Sequence, residues 1–193
     1  DINSGLTGQI ANSVNQINSY AQQIASLNGS IKRATAGGLG QQQPNDLIDQ
    51  RDRLIGQLNQ EVKTTVLRQA DGTTSVFIGN GQALVVDEQT MRLQVVNSAS
   101  DPSKVDVAYV NNGRAIAMQQ SSLQGGNIGA YLNFRDQTLE PARNALGRVA
   151  LGMAVSLNQQ NRLGQDLNGA LGGDLFTVAT PRVEKNANND PAS

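Results

Sequence analysis

Apolar residues in the first part of the chain return at helical spacing. Ile10, Val14, Ile17, Ala21, Ile24 and Ile31 follow one another at steps of 4, 3, 4, 3 and 7, a heptad stripe broken only at Asn28. A stripe of this kind, with Asn, Gln and Ser opposite, requires a partner helix. Gly37, Gly38, Gly40 and three consecutive Gln before Pro44 read as a loop. A second helix is expected from Asn45 or Asp46, with Asp46 as N-cap and Asp49 as the acid of a capping box. Its apolar set is Ile48, Ile55, Leu58 and Val62, widened by Leu47 and Leu54, and Asp49 stands four residues before Arg53 in the favourable acid-first order. Together the two stripes predict an antiparallel helical hairpin.

From Thr64 to Gln120 the period shortens to two. Val76 and Ile78, Leu84 and Val86, Leu93 and Val95, Val105, Val107 and Tyr109, and Ile116 and Met118 alternate with polar neighbours. Asp71-Gly72, Gly79-Asn80-Gly81 and Asn111-Asn112-Gly113 punctuate these runs as turns, and Asp101-Pro102 is a further break. Five or six short strands in one small antiparallel meander are expected. After Gly125-Gly126 helical spacing resumes, with Leu132, Leu139, Leu146 and Met153 seven apart and Ala142 and Val149 three further on in their heptads. Unbroken to Arg162, this helix would be ~50 Å long at 1.5 Å per residue. Pro141 either kinks it or opens a helix beginning near Glu140, and the undisturbed heptad phase favours the kink. Glycine-rich loop follows Asn161, then a polar stretch with Pro181 and Pro191.

The fold class predicted is α+β: a helical bundle, made of an N-terminal helical hairpin plus a long C-terminal helix, with an inserted small antiparallel β domain. Residues 1–62 are its first helical part, 63–120 the β insertion, 121–176 its second helical part and 177–193 a linker or tail. Most heptad positions are expected to be satisfied within this bundle. A chain that opens at Asp1 reads as a piece of a longer protein, so parts of each stripe are also candidates for covering by other helices.

Composition narrows the chemistry. The 193 residues include no His and no Cys, which removes a histidine base, a thiol nucleophile, a disulfide and the usual zinc site. A net charge of −1 and 3% aromatic residues argue against a nucleic-acid surface. Apolar runs are too short to span a membrane, and no signal-peptide pattern is visible. Asp46, Asp49 and Asp52 recur every third residue and could form an acid or hard-metal cluster, but helical geometry separates Asp46 from Asp52 by 120° and Arg51 and Arg53 stand ready as counter-charges. The Gly164–Gly169 segment lacks the ligand spacing and closing Glu of a calcium loop and reads as a glycine-rich turn. Gly125-Gly126-x-x-Gly129 before a helix lacks the surroundings of a phosphate loop. No catalytic, cofactor-binding or metal-ligating residue is assigned, and no cofactor is expected.

Several blocks resemble one family. Gln23-Ile24-Ala25-Ser26-Leu27-Asn28 followed by Ile31, and above all Pro44-Asn45-Asp46-Leu47-Ile48-Asp49-Gln50-Arg51-Asp52, are similar to the flagellar hook-associated protein 1 family. Val76-Phe77-Ile78, Gly81-Gln82-Ala83-Leu84-Val85, Gly125-Gly126-x-Ile128-Gly129 with Phe134-Arg135, Asn158-Gln159-Gln160 and Gly164-x-Asp166-Leu167-x-Gly169 extend the likeness over residues 9–176. Asn161 departs from it where many relatives carry His. The resemblance implies a non-enzymatic building part at the hook–filament junction: a ring of identical subunits between the hook protein and the second junction protein, extracellular, and exported without a cleaved signal peptide. It implies neither nucleic-acid binding nor membrane insertion. The alternative is an adhesin-like binding module that uses the strand region. The Pro44–Asp52 block is expected to anchor the bundle rather than to form a site.

Overall fold

A computed structural model describes residues 2–36, 44–99, 101 and 103–180; the expected loop at 37–43 and most of the 177–193 tail lie outside the described residues. Two helices, α1 (Ile2–Ala36) and α2 (Asn45–Glu61), precede seven strands: β1 (Thr64–Arg68), β2 (Thr74–Ile78), β3 (Gln82–Val86), β4 (Gln89–Thr90), β5 (Arg92–Asn97), β6 (Val105–Asn111) and β7 (Arg114–Ala117). A short 3-10 turn at Gln120–Ser122 leads to α3 (Gly126–Phe134), a π-turn (Arg135–Leu139) and α4 (Glu140–Arg162). Residues up to Asn133 form one unit and those from Phe134 another.

In the first unit, α1 carries the core. Ile10, Val14, Ile17, Ala21, Ile24 and Ile31 are all buried, and each large one removed from water contributes on the order of 1.5–3 kcal/mol. The cover comes from α2 and from strands of both sheets of the β insertion, packed along α1. The strands do not form the one meander expected. β1-β2-β3-β4 make an antiparallel four-stranded sheet and β5-β6-β7 an antiparallel three-stranded one. β1 escapes the period-2 reading because, as an edge strand, it leaves Val66 and Leu67 exposed. β3 departs from strict alternation for a local reason. Val85 pairs with Val76 and Ala83 with Phe77, so Leu84 is the extra residue of a bulge, and Leu84 and Val85 are both buried.

Asparagine side chains attach the strands to α1. Asn28 is 0% exposed. Its Nδ2 donates to the carbonyls of Thr74 (2.8 Å) and Asp87 (2.7 Å), while its Oδ1 accepts the Thr74 N–H (3.1 Å). The amide thus pairs with β2 as another strand would, and it explains why a polar residue interrupts the stripe. Ten residues earlier, Asn18 repeats the device on the other sheet: Nδ2 donates to the Leu93 carbonyl and Oδ1 accepts the Leu93 N–H, both at 2.9 Å. The β1–β2 turn is tied down as well. Thr73 donates its hydroxyl (2.7 Å) and its N–H (3.0 Å) to Asp71 Oδ1, and Lys32 of α1 lies 3.7 Å from the same carboxylate.

Local chemistry also alters two helix ends. Asp46 does not cap α2; Pro44 holds the N-cap position without a side-chain cap, and Asp46 lies in the first turn. There its charge still complements the helix dipole. Pro141 is accommodated by the π-turn before it, in which the Glu140 N–H reaches back to the Arg135 carbonyl, five residues away. Pro141 cannot donate to a carbonyl four residues back, and its ring would collide with it; one wider turn relieves both problems within an otherwise helical run.

Two predictions follow from these contacts. Asn18→Ala leaves the Leu93 N–H and carbonyl without partners and should cost about 1–3 kcal/mol, read as a lower urea midpoint with faster amide exchange at Leu93. The Thr73 hydroxyl, followed by its backbone N–H, holds the Asp71 carboxyl below the usual carboxylate range, and Ser103 does the same for Asp101. A lowered folded-state pKa stabilises above the unfolded value and is lost as pH falls through the folded one. Stability should therefore decline below pH ~4, and Asp71→Asn should flatten that decline in urea titrations run from neutral to acid pH.

Candidate functional site

Polar side chains sit at matched places along the seam between α1 and α2. Arg51 falls in the α2 stripe, between Ile48 and Ile55, and is 3% exposed. Its Nη1 donates to the Gly72 carbonyl at 2.7 Å and to Asn28 Oδ1 at 3.3 Å, so the polar residue on one stripe meets the polar residue on the other. Burial lowers the Arg51 pKa, and the nearby Asp52 carboxylate opposes that shift. At the other end of the seam Glu61 is buried; it accepts the Ser13 hydroxyl at 2.7 Å and the Asn127 Nδ2 at 3.0 Å, joining α1, α2 and α3. Every charge here is consumed by a fixed neighbour. Sequence reading takes Arg51 only for a counter-charge to the aspartates and passes over Glu61, because it seeks apolar stripes; the missed signal is a charge at a stripe position.

The three aspartates do not converge. Asp46 and Asp49 are exposed, and Asp52 is half-buried with Arg68 Nη2 at 3.0 Å and Arg51 Nε at 3.7 Å. The acid that arginines engage is therefore Asp52, not Asp49 as the helical spacing implied. Among the described residues no group of three or more Asp or Glu is placed to hold a metal ion. Gly125-Gly126 is a close crossing: Gly126 has φ +66°, and a Cβ there would come within 2.6 Å of the Glu61 carbonyl. In the 164–169 segment Asp166 Oδ1 accepts the N–H groups of Asn168 (2.8 Å) and Ala170 (2.7 Å), so that carboxylate oxygen closes a turn.

The second unit contains the open surface. On α4 the stripe residues Leu146, Val149 and Met153 are 70%, 60% and 60% exposed, and Leu151, Val155 and Leu157 are exposed too. The stripe positions of α1 and α2, with Leu132 and Leu139, are covered as expected, whereas the part of the third stripe on α4 is open. Past the helix the backbone is held by a third asparagine. Asn158 is buried; its Oδ1 accepts the N–H groups of Leu175 and Phe176, both at 2.9 Å, and its Nδ2 donates to the Phe176 carbonyl at 2.7 Å. Arg162 forms a two-pronged pair with Asp174, Nε to Oδ1 and Nη2 to Oδ2 at 2.7 Å each, which raises the arginine pKa. Asn161 donates to the Gly173 carbonyl at 2.7 Å. The exposed aliphatic row of α4 is a surface suited to packing against another apolar face.

Comparison with known proteins accords with this geometry. The model of the flagellar hook-associated protein FlgK helical domain matches residues 1–176. Flagellar hook-associated protein 1 of Escherichia coli K12 is 43% identical over 181 residues, covering 93% of this chain and 33% of that protein. The protein of the same name from Salmonella typhimurium LT2 is 42% identical over 93% of this chain and 32% of its own length. The solved flagellar hook junction protein FlgK from Burkholderia pseudomallei superposes with a TM-score of 0.86 at 40% identity, over 96% of this chain and 33% of that one. The chain thus spans about a third of the length of these relatives. On sequence and fold together, it belongs to the flagellar hook-associated protein FlgK family, over that family's helical domain.

Proposed function

We propose that this chain is part of a structural subunit of the bacterial flagellum at the hook–filament junction, acting through protein–protein contacts and not through catalysis. The observation that carries the reading is the uncovered aliphatic row of α4, Leu146, Val149 and Met153, in a family named for the hook. An exposed apolar patch of this kind marks an association surface. The buried side chains of Asn28, Glu61 and Asn158 are each hydrogen-bonded to other parts of the chain, as in a part built to hold shape. The subunit would form a ring with copies of itself, contact the hook protein on one side and the second junction protein on the other, and reach the cell exterior through the flagellar export channel without a cleaved signal peptide. With no Cys in the chain, the refolded subunit would rely on packing and the asparagine contacts outside the cell.

Deletion of the gene should leave cells without normal filaments and unable to swim; normal filaments on the deleted strain would refute the junction role. Leu146→Asp with Met153→Asp in the complete gene should also fail to restore swimming. Both side chains are exposed, so the same pair should move the unfolding free energy of this chain by less than about 0.5 kcal/mol each in urea. Full swimming with the doubly substituted protein would show that the α4 row is not an assembly surface.

A further inference from the structure

Four asparagines precede a glycine: Asn28, Asn80, Asn112 and Asn168. In such a pair the glycine nitrogen can approach the asparagine side-chain carbonyl carbon without hindrance from a side chain of its own. The fold holds the four pairs differently. Asn28 is buried in α1 with both amide atoms engaged. Asn80 gives its Nδ2 to Ser122 Oγ at 2.9 Å, and the Gly81 N–H is bonded to the Ile78 carbonyl at 3.1 Å. The Gly169 N–H is bonded to the Asp166 carbonyl at 3.1 Å, beside Asn168, whose own N–H donates to Asp166 Oδ1. Asn112 is different. It is exposed at the tip of the two-residue turn between β6 and β7, with φ +49° followed by +75° at Gly113. Among the described residues, neither its carboxamide nor the Gly113 N–H has a protein hydrogen-bond partner.

We infer that Asn112 is a site of spontaneous deamidation, the one Asn-Gly pair of the four that the native fold leaves free to react. The Gly113 nitrogen gives up its proton to solvent base and attacks Asn112 Cγ. The new N–Cγ bond closes a five-membered succinimide, the Cγ–Nδ2 bond breaks, and the departing nitrogen takes a proton and leaves as ammonia. Water then opens the ring at either carbonyl, producing aspartate or isoaspartate. A negative charge appears two residues from the exposed Arg114, and isoaspartate adds a carbon to the backbone of a turn that sets the Asn111–Arg114 pairing.

Peptide mapping by mass spectrometry of the folded chain, incubated at mildly alkaline pH, tests this. Asn112 should convert at least about tenfold faster than Asn80 or Asn168, the factor that breaking one amide hydrogen bond first would impose, and Asn28 should persist longest. In urea, where the fold no longer distinguishes them, the rates should converge. Equal rates in the folded chain would overturn the inference, as would an Asn112 that survives folding conditions no more readily attacked than its three counterparts, or a selectivity unchanged by urea.

Discussion

A carboxamide removed from water must find a partner for each of its atoms, and at Asn28 this requirement ties three elements together. The side chain leaves α1 and closes on Thr74 of β2, on Asp87 in the β3–β4 turn and on Arg51 of α2. The magnitudes decide which effect wins. Leucine at this position would complete the heptad and gain roughly 1.5–3 kcal/mol from burial. It would also leave the buried Thr74 N–H and carbonyl without partners, each at a cost of about 1–3 kcal/mol, and strip the half-buried Asp87 carbonyl of its donor. The network outweighs the missing aliphatic side chain. Once Asn28 is bonded, α2 and the first sheet have one register each on α1.

The same solution recurs at Asn18 for the second sheet and at Asn158 for the segment after α4. In each case one short amide accepts and donates to a single stretch of main chain, so a helix docks a strand or loop without needing a complementary apolar surface. This gives physical meaning to a chain with 20 Asn and 3% aromatic residues. Directional bonds do here what bulky rings do in other cores.

Much of this was legible before any coordinates. The heptad steps place the α1 core and the α2 apolar face, and the turn residues mark where the strands reverse. Periodicity could not say what Asn28 was for, because the partners of a buried amide are distant in sequence; Thr74 lies 46 residues away. It missed the burial of Arg51 and Glu61, which occupy seam positions normally read as apolar, and the edge strand β1, which has little inward face to reveal it. It also took the α4 stripe as internal. A repeat of sevens reports that a face is meant to be covered, not which molecule covers it, and Leu146 and Met153 remain exposed. That division, a first unit closed by asparagine bonds and an apolar helix left uncovered in the second, is the physical basis for reading the chain as an assembly part.

The most direct test of the central claim is the urea unfolding midpoint of Asn28→Leu, since this substitution perfects the hydrophobic repeat and deletes only the amide. A chain held together by its heptads alone would be stabilised by the change. A chain organised around the Asn28 network must lose stability, with the Thr74 amide exchanging faster than in the parent. A midpoint equal to or above that of the parent would contradict the account.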